Sequence, residues 1–543
     1  MKLKEPNIFR RIIFAVITGI IIGFFYVAGY YLDNFDTLDI KQKLFYVQWA
    51  GAALLSSACV YFLWLLMEYI GKKNEKKSTM IERAFWLKCE RITSHWGCVV
   101  ILVLCWLPAF LSIFPGAFSY DAYSEWEQVR RGAITSHHPV AHVLLLGGIV
   151  EVFYNLTGSY NVGIAVYTLL QMFLLANIFG AAINFLKKFN IPVIFRVLAL
   201  AFYGLSPVVQ LFSVCATKDV LFSGAELLFF FYAILFFCRR DAFFTDRKNR
   251  VGFAAATLGT MILRNNGLYI VLCMLIIMAF YCRKYWKKYL LMVAGVLLLY
   301  GFYTGPVYGM LSVTKGGIEE MLSVPIQQMA RVHKYDYASL ETEDLELLYQ
   351  VLPKEALDEY RATVSDFVKK DFNREGFAAH KTEIFRLWLK WGMEHPLTYV
   401  NSFLINTVDF WYPMAVVDGY RDAYGRSSYF DYRVDEPGTE QSLLPKLHNF
   451  YENISINKEA QTQPFAFLVL SPGWYFVLVL VSFMYLWCCR QKKLLGAFLI
   501  LILSMATVLL GPMALVRYVL IFYYVFPVLP TLCLYPKRYT MEK

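Results

Sequence analysis

Four short polar stretches carry residue types able to bind an anionic substrate and move a proton. The first, Pro115 to Pro139, holds P-G-A-F-S-Y-D-A-Y-S-E-W, with Tyr120, Asp121 and Glu125, and then T-S-H-H-P, with His137 and His138. The second is A-T-K-D, ending on Lys218 and Asp219. The third is R-N-N-G, comprising Arg264, Asn265, Asn266 and Gly267, and the fourth is V-R-Y, with Arg517 and Tyr518. A carboxylate deprotonates a hydroxyl, and a fixed cation stabilises a departing phosphate. If these stretches converge, the set suits sugar transfer from a polyprenyl phosphate, with Asp121 as base and Lys218 and Arg264 on the phosphate.

Each residue also has a plainer reading. Asp121 stands where a residue caps a following helix. His137 and His138 precede Pro139 at a helix entry, where imidazoles sit at the headgroup level; a substrate contact is favoured there over a metal. Lys218 can snorkel or pair with Asp219, Arg517 can anchor at the interface, and Arg331 in Q-Q-M-A-R-V can lie on a solvated helix face. Arg264 is harder to dismiss, because a guanidinium in a tight turn between two spans needs an anion.

The elements that would position these residues are membrane helices. Of 543 residues, 58% are hydrophobic and 17% aromatic, and the apolar ones gather into blocks near the ~20 residues that span a bilayer. The run Ile12 to Tyr31 exceeds a signal-peptide core and lacks a small-residue cleavage site, so it reads as a retained helix. The net charge of +11 sits in short connections between apolar blocks, which is the positive-inside pattern and implies no nucleic-acid partner. The 11 cysteines mostly fall in apolar blocks or beside basic connections, and none lies between Ser312 and Gln463, so no disulfide framework or cysteine metal site is expected.

Basic markers at Lys2 to Arg11, Lys72 to Arg91, Lys187 and Lys188, Arg239 to Arg250, Arg283 to Lys288, Arg490 to Lys493 and from Lys537 must be separated by even numbers of crossings. About twelve spans satisfy them, at roughly 12–31, 44–70, 96–114, 161–186, 191–214, 219–238, 251–263, 267–282, 288–307, 465–488, 494–511 and 514–534. Both termini are then cytoplasmic, and the four polar stretches share the outer side. Val140 to Leu156 and Pro396 to Tyr412 are left over and are expected as interfacial helices. From Ser312 to Pro396 the chain is polar, with helical spacing over Asp344 to Leu352 and Pro353 to Phe377. Four regions result: 1–95, two helices and a basic loop; 96–307, a transmembrane module with a first outer loop at 115–160; 308–464, an extracytoplasmic helical segment and loop; and 465–543, three further spans.

Y-D followed by S-H-H-P, an apolar helix, G-S-Y-N and a long span ending in two lysines resembles the opening module of the GT-C glycosyltransferase superfamily. With T-K-D, R-N-N-G and S-V-P-I-Q-Q-M-A-R-V, the chain from about Trp96 to the last span looks closest to a group of polytopic Gram-positive membrane proteins related to those enzymes. The resemblance implies an all-α, GT-C-like membrane fold and an inverting hexosyl or pentosyl transferase of the cell membrane. Its partners would be a polyprenyl-phosphate-linked sugar and an extracytoplasmic acceptor, with Asp121 as general base. Substrate contacts would come from Tyr120, Glu125, His137, His138, Lys218, Asp219, Arg264, Asn265, Asn266, Arg331 and Arg517. The acidic pair common in that loop is here Asp121-Ala122, so no cofactor is required and a divalent metal is the less favoured alternative. A transporter or flippase of lipid-linked sugars is the rival from another class, and a membrane scaffold or sensor acting through Ser312 to Pro396 is a third.

Overall fold

The structure, a computed structural model, describes residues 7–76, 89–415 and 430–540. Lys77, Arg83 and Lys88 of the second basic marker, and part of the loop between Tyr412 and Gln463, lie outside the described residues. The chain is an all-α polytopic membrane protein. Each stretch expected to span is helical, and among the described residues only isolated β-bridges accompany the helices. Eight helices are long and apolar enough to cross a bilayer. A ninth counts if Val193–Leu205 and Pro207–Ser213, bent by 59° across Ser206, form one span; Pro207 has no N–H to continue the first helix. The eight include Val140–Thr157, which charge parity lays in the interface, while Gly267–Ala279 and Pro472–Cys488 are shorter apolar helices.

Lys218–Cys238 is the axis of the bundle. Apart from Lys218 and Asp219 at its head and Glu226 within it, it is apolar on all sides, and nearly all of it is buried against Tyr160–Lys188, Arg247–Leu263, Lys492–Val508 and Leu520–Val525, as such a helix requires. At its far end Arg239 donates to Arg538 O (2.5 Å) and Lys188 O (3.4 Å), which gathers three basic connections there. Its first residue, Lys218, lies 21 residues away, roughly 30 Å along a helix. The opening hairpin, Ile8–Phe35 with Lys43–Lys76, packs on Pro396–Trp411 and Pro472–Cys488.

The polar segment after Ser312 is helical, but its pieces differ from the expected ones. Thr342–Tyr349 matches the first expected stretch, whereas the second breaks into Lys354–Asp358 and Asp366–Lys369, and Arg374–Glu394 follows. Between the two short helices the chain makes a tight turn, in which Val364 pairs with Arg361. Ser365 N donates to Pro512 O at 2.9 Å, and Val364 bridges Met513. A backbone group satisfied by a distant partner has no need of a helix, so tertiary pairing overrides the local spacing here. This junction sets the polar segment against the chain that leads to Arg517.

Candidate functional site

The first loop is pinned before it reaches Asp121. Ala117 N donates to Val214 O (2.9 Å) and Ala216 N to Ala117 O (2.8 Å), so the loop lies against the residues that lead into Lys218. Gly116, at φ +116°, makes this approach possible, since a Cβ there would stand 2.3 Å from Thr168 Oγ1. Tyr120 follows with φ 57°, a left-handed conformation that costs a non-glycine residue on the order of 1–2 kcal/mol. Its ring lies under the Arg517 guanidinium at 4.6 Å and its hydroxyl accepts from Asp431 N at 2.9 Å.

Asp121 occupies the N-cap of Ala122–Arg131, yet its side chain makes no capping bond. Instead Oδ2 accepts from Lys218 Nζ at 2.5 Å and from Arg517 Nη1 at 2.7 Å. The capping reading is thereby set aside in favour of an ion-paired carboxylate. Burial opposes its charge, but Arg517, Lys218 and the His138 ring outweigh it and hold the carboxyl well below the usual range. Held so low, it is a weak base in this arrangement.

Lys218 Nζ also lies 3.4 Å from Glu125 Oε1 and 3.1 Å from His138 Nδ1. An ammonium has three donors, and three acceptors meet them. Burial, helped by Lys218, pushes the His138 imidazole down to about 4, so at neutral pH its Nδ1 is free to accept. Ligand atoms of Asp121, Glu125 and His138 come within 4.8 Å of one another, a group able to hold a cation, but the ammonium stands among them. A divalent ion would have to displace it.

Arg264 and Asp219 extend the cluster. Asp219, fully buried, lies 2.9 Å from Arg264 Nη1 and 3.2 Å from Arg517 Nη1. The Tyr518 ring stacks on both guanidinium groups, at 4.3 Å from Arg264 and 4.9 Å from Arg517. The turn that presents Arg264 depends on Gly267, where a Cβ would fall 1.9 Å from Thr260 O. Asn265 and Asn266 hold this turn in place. Asn265 Nδ2 donates to Ser136 O (3.2 Å) and His137 O (3.4 Å), and Asn266 Nδ2 to Thr507 Oγ1 (3.0 Å). They latch the turn to the histidine loop and to a neighbouring helix, and neither lines the cavity into which the cluster opens.

Glu125 heads a buried chain of polar groups that the sequence reading missed. His142 Nδ1 contacts Glu125 Oε2, His142 Nε2 lies 2.7 Å from Tyr167 Oη, and Tyr167 donates to Gln171 Oε1 at 2.9 Å. Gln171 Nε2 donates to the carbonyls of Ser213 (3.1 Å) and Cys215 (2.7 Å), which fixes its Oε1 as the acceptor. The Tyr167 proton then goes to Gln171, His142 Nε2 must carry a proton to donate to Tyr167, and Glu125 and His142 share one proton between them. The available signal was His142 itself, an imidazole inside an otherwise apolar helix, where a buried polar group needs a partner.

The cluster opens into a cavity of about 400 Å³ lined on one side by Asp121, His137, His138, Lys218, Arg264, Arg517 and Tyr518. The other side is Glu319, Glu320, Asp366, Lys369 and Lys370 from the polar segment, with Pro512 and Met513. Lys369 pairs there with Glu320 and Asp366, each at 2.8 Å. Of the carboxylates around Lys218 and Arg517, Asp121 is 27% exposed, against 1% for Glu125 and none for Asp219, so only Asp121 is within reach of a ligand. Arg331 is elsewhere. It donates to Asp36 O (2.6 Å) and Tyr360 Oη (3.2 Å) and fastens Ser323–Tyr335 to the end of the first helix, so neither a substrate contact nor a solvated face describes it.

Residues 130–541 match the family described as "Family of unknown function (DUF6020)", and the chain belongs to that family. The match takes in His137, His138, Lys218, Asp219, Arg264 and Arg517, while Asp121 and Glu125 precede it. No curated protein and no solved structure matches the chain.

Proposed function

We propose that this member of DUF6020 is a GT-C-like membrane glycosyltransferase that moves a sugar from a polyprenyl-phosphate donor to an extracytoplasmic acceptor, with Asp121 as general base. The observation that carries the reading is the convergence of Lys218, Arg264 and Arg517, from three distant parts of the chain, on one open cavity that also presents a reachable carboxylate. Three fixed cations in a poorly solvated wall suit a phosphate that gains charge as it leaves. The polar segment across the cavity supplies carboxylates and lysines on which a hydroxylated acceptor can rest.

About twelve spans with both termini in the cytoplasm complete the reading. Three basic connections gather at the end of the central helix remote from the cavity, roughly one hydrocarbon thickness away, which supports reading the cavity as facing outward. The two helices before residue 96 pack against later helices and belong to the same body.

A second reading, a transporter or flippase of lipid-linked sugars, draws on two features. One span is bent by 59°, and Glu226 is fully buried within the central helix with no salt bridge among the described residues. Broken helices and buried ionisable groups suit substrate passage.

The full chain in detergent, given a radiolabelled polyprenyl-phosphate sugar, is expected to release or transfer the label, with loss of turnover in Asp121→Asn. Movement of the intact donor across liposome membranes, with no cleavage by the wild type for either hexosyl or pentosyl donors, would instead establish the transport reading.

A further inference from the structure

We infer that Asp121 is a resident anion in the phosphate seat: it occupies Lys218 and Arg517 until the phosphate of an incoming isoprenyl phospholipid replaces it, and that exchange frees its carboxylate. The freed carboxylate acting as base rests on the transferase reading above; the exchange itself does not.

The geometry is that of a competitor. Lys218 and Arg517 both spend their short contacts on one atom, Asp121 Oδ2. A carboxylate that bridges two cations in this way stands where a phosphate oxygen would stand, since both are compact anionic oxygens that take charge-assisted bonds from Arg and Lys. The other carboxylates are built in differently. Asp219 is fully buried between Arg264 and Arg517, and Glu125 is tied to His142. Of these three carboxylates beside Lys218 and Arg517, Asp121 is the one that lines the cavity and keeps part of its surface open to it.

The wall also has donor capacity to spare. Arg517 Nε is buried and makes no hydrogen bond, although a buried donor normally finds a partner. On this wall, with Glu125 and His142 counted as a neutral pair, Lys218, Arg264 and Arg517 are paired with Asp121 and Asp219. The cluster keeps an excess of one positive charge, and more is uncovered when Asp121 moves aside.

The exchange also resolves a chemical difficulty. A carboxylate gripped by an ammonium and a guanidinium has little affinity for the proton of a hydroxyl, so Asp121 is inactive as a base while the seat is empty of donor. When the donor phosphate takes the two cations, the carboxylate loses the charges that suppress its basicity. In the transfer step the acceptor oxygen bonds to the anomeric carbon. The bond from that carbon to the phosphate oxygen breaks with its electron pair on the phosphate, and the hydroxyl proton passes to Asp121. The phosphate leaves with one more negative charge, facing the cations that Asp121 gave up.

The test is binding, and its expected direction is unusual for a residue needed in turnover. Farnesyl phosphate is titrated into the full chain in detergent, with farnesol and inorganic phosphate as controls. Asp121→Asn and Asp121→Ala are both expected to bind farnesyl phosphate about tenfold more tightly than wild type, with farnesol unaffected, because the internal rival is gone. The alanine variant guards against a defect peculiar to the amide. Equal or weaker binding in both folded variants overturns the exchange, whatever the wild type does with a sugar donor. Inorganic phosphate bound as tightly as farnesyl phosphate would assign the seat to free phosphate and overturn the lipid as its occupant. Tighter binding in the variants, with no sugar transfer by the wild type, would leave the exchange standing and remove the transferase reading.

Discussion

Lys218 Nζ and Asp121 Oδ2 meet at 2.5 Å although they are 97 positions apart in the chain. The contact joins the first polar loop to the head of the central helix, and the same ammonium reaches Glu125 and His138. Replacing Lys218 by Ala or Met leaves two carboxylates and an imidazole without their shared donor. Breaking a buried ion pair from one side costs about 3–5 kcal/mol, so a large fall in thermal stability in detergent is expected, together with loss of isoprenyl phosphate binding. Lys218→Arg is expected to restore little, because a planar fork cannot match three acceptors arranged around a point charge. Full stability in the alanine variant would show that the ammonium is not the centre of the cluster.

His138 predicts a pH dependence of stability. Its imidazole is pushed down to about 4 by burial and by Lys218, against about 6.5 for the unfolded chain. Between those values the unfolded state binds the extra proton, so stability rises with pH from about 4 to 6.5 and is lost as the solution is acidified through that window. Asp121, held low, adds a further loss that begins only below about 4. Unfolding midpoints measured from pH 4.5 to 7.5 are expected to climb for the wild type and to be flatter for His138→Gln. The same slope in both would remove His138 as its source.

The four polar stretches were legible in the sequence because ionisable residues at the ends of apolar blocks are costly unless they have a use, and charge parity places all four at one end. Their individual roles were less legible. The sequence cannot show that Asp121 turns away from its helix cap, because that choice depends on Lys218 and Arg517 arriving from other helices. Nor can it show that Arg517 lines the cavity while Arg331 is buried elsewhere, since the partners that decide this arrive from other parts of the chain. The spacing over Pro353 to Phe377 misled for a related reason: Ser365 N found Pro512 O, and a backbone group served by tertiary pairing ceases to follow its local pattern. His142 was hidden inside an apolar helix, where its partners Glu125 and Tyr167 are contributed by two other helices.

His142 and Tyr167 act on Lys218 only through Glu125, so they are positioning residues. Tyr167→Phe removes the hydroxyl that links His142 to Gln171 and is expected to cost about 1–3 kcal/mol, the penalty for an unmade buried hydrogen bond. His142→Ala is expected to cost more, because Glu125 loses its nearest partner. A double-mutant cycle on unfolding free energy should return a coupling of about 0.5–3 kcal/mol for residues of one network, and the affinity for farnesyl phosphate should weaken in step with His142→Ala. Additive effects would mean that the chain of contacts is not energetically connected.

Arg517 and Arg331 separate binding from architecture. Both are almost completely buried, and the loss of either removes a buried guanidinium, so both alanine variants are expected to be less stable than wild type. Their partners differ in kind. Arg517 faces Asp121 and Asp219 in the cavity wall, whereas Arg331 donates to a backbone carbonyl and a tyrosine hydroxyl where the polar segment meets the first hairpin. Arg517→Ala should therefore weaken isoprenyl phosphate binding by at least about tenfold and reduce its dependence on Asp121, since the rival and the ligand lose one of the two cations they share. Arg331→Ala should leave that affinity within about twofold while lowering the unfolding temperature, the difference between a charged contact with ligand and a neutral structural one. Titrations of the two folded variants with farnesyl phosphate, paired with thermal melts, decide the matter. A loss of affinity in Arg331→Ala equal to that in Arg517→Ala would mean that the polar segment transmits its docking to the cavity, through the Ser365 to Pro512 junction that leads to Arg517.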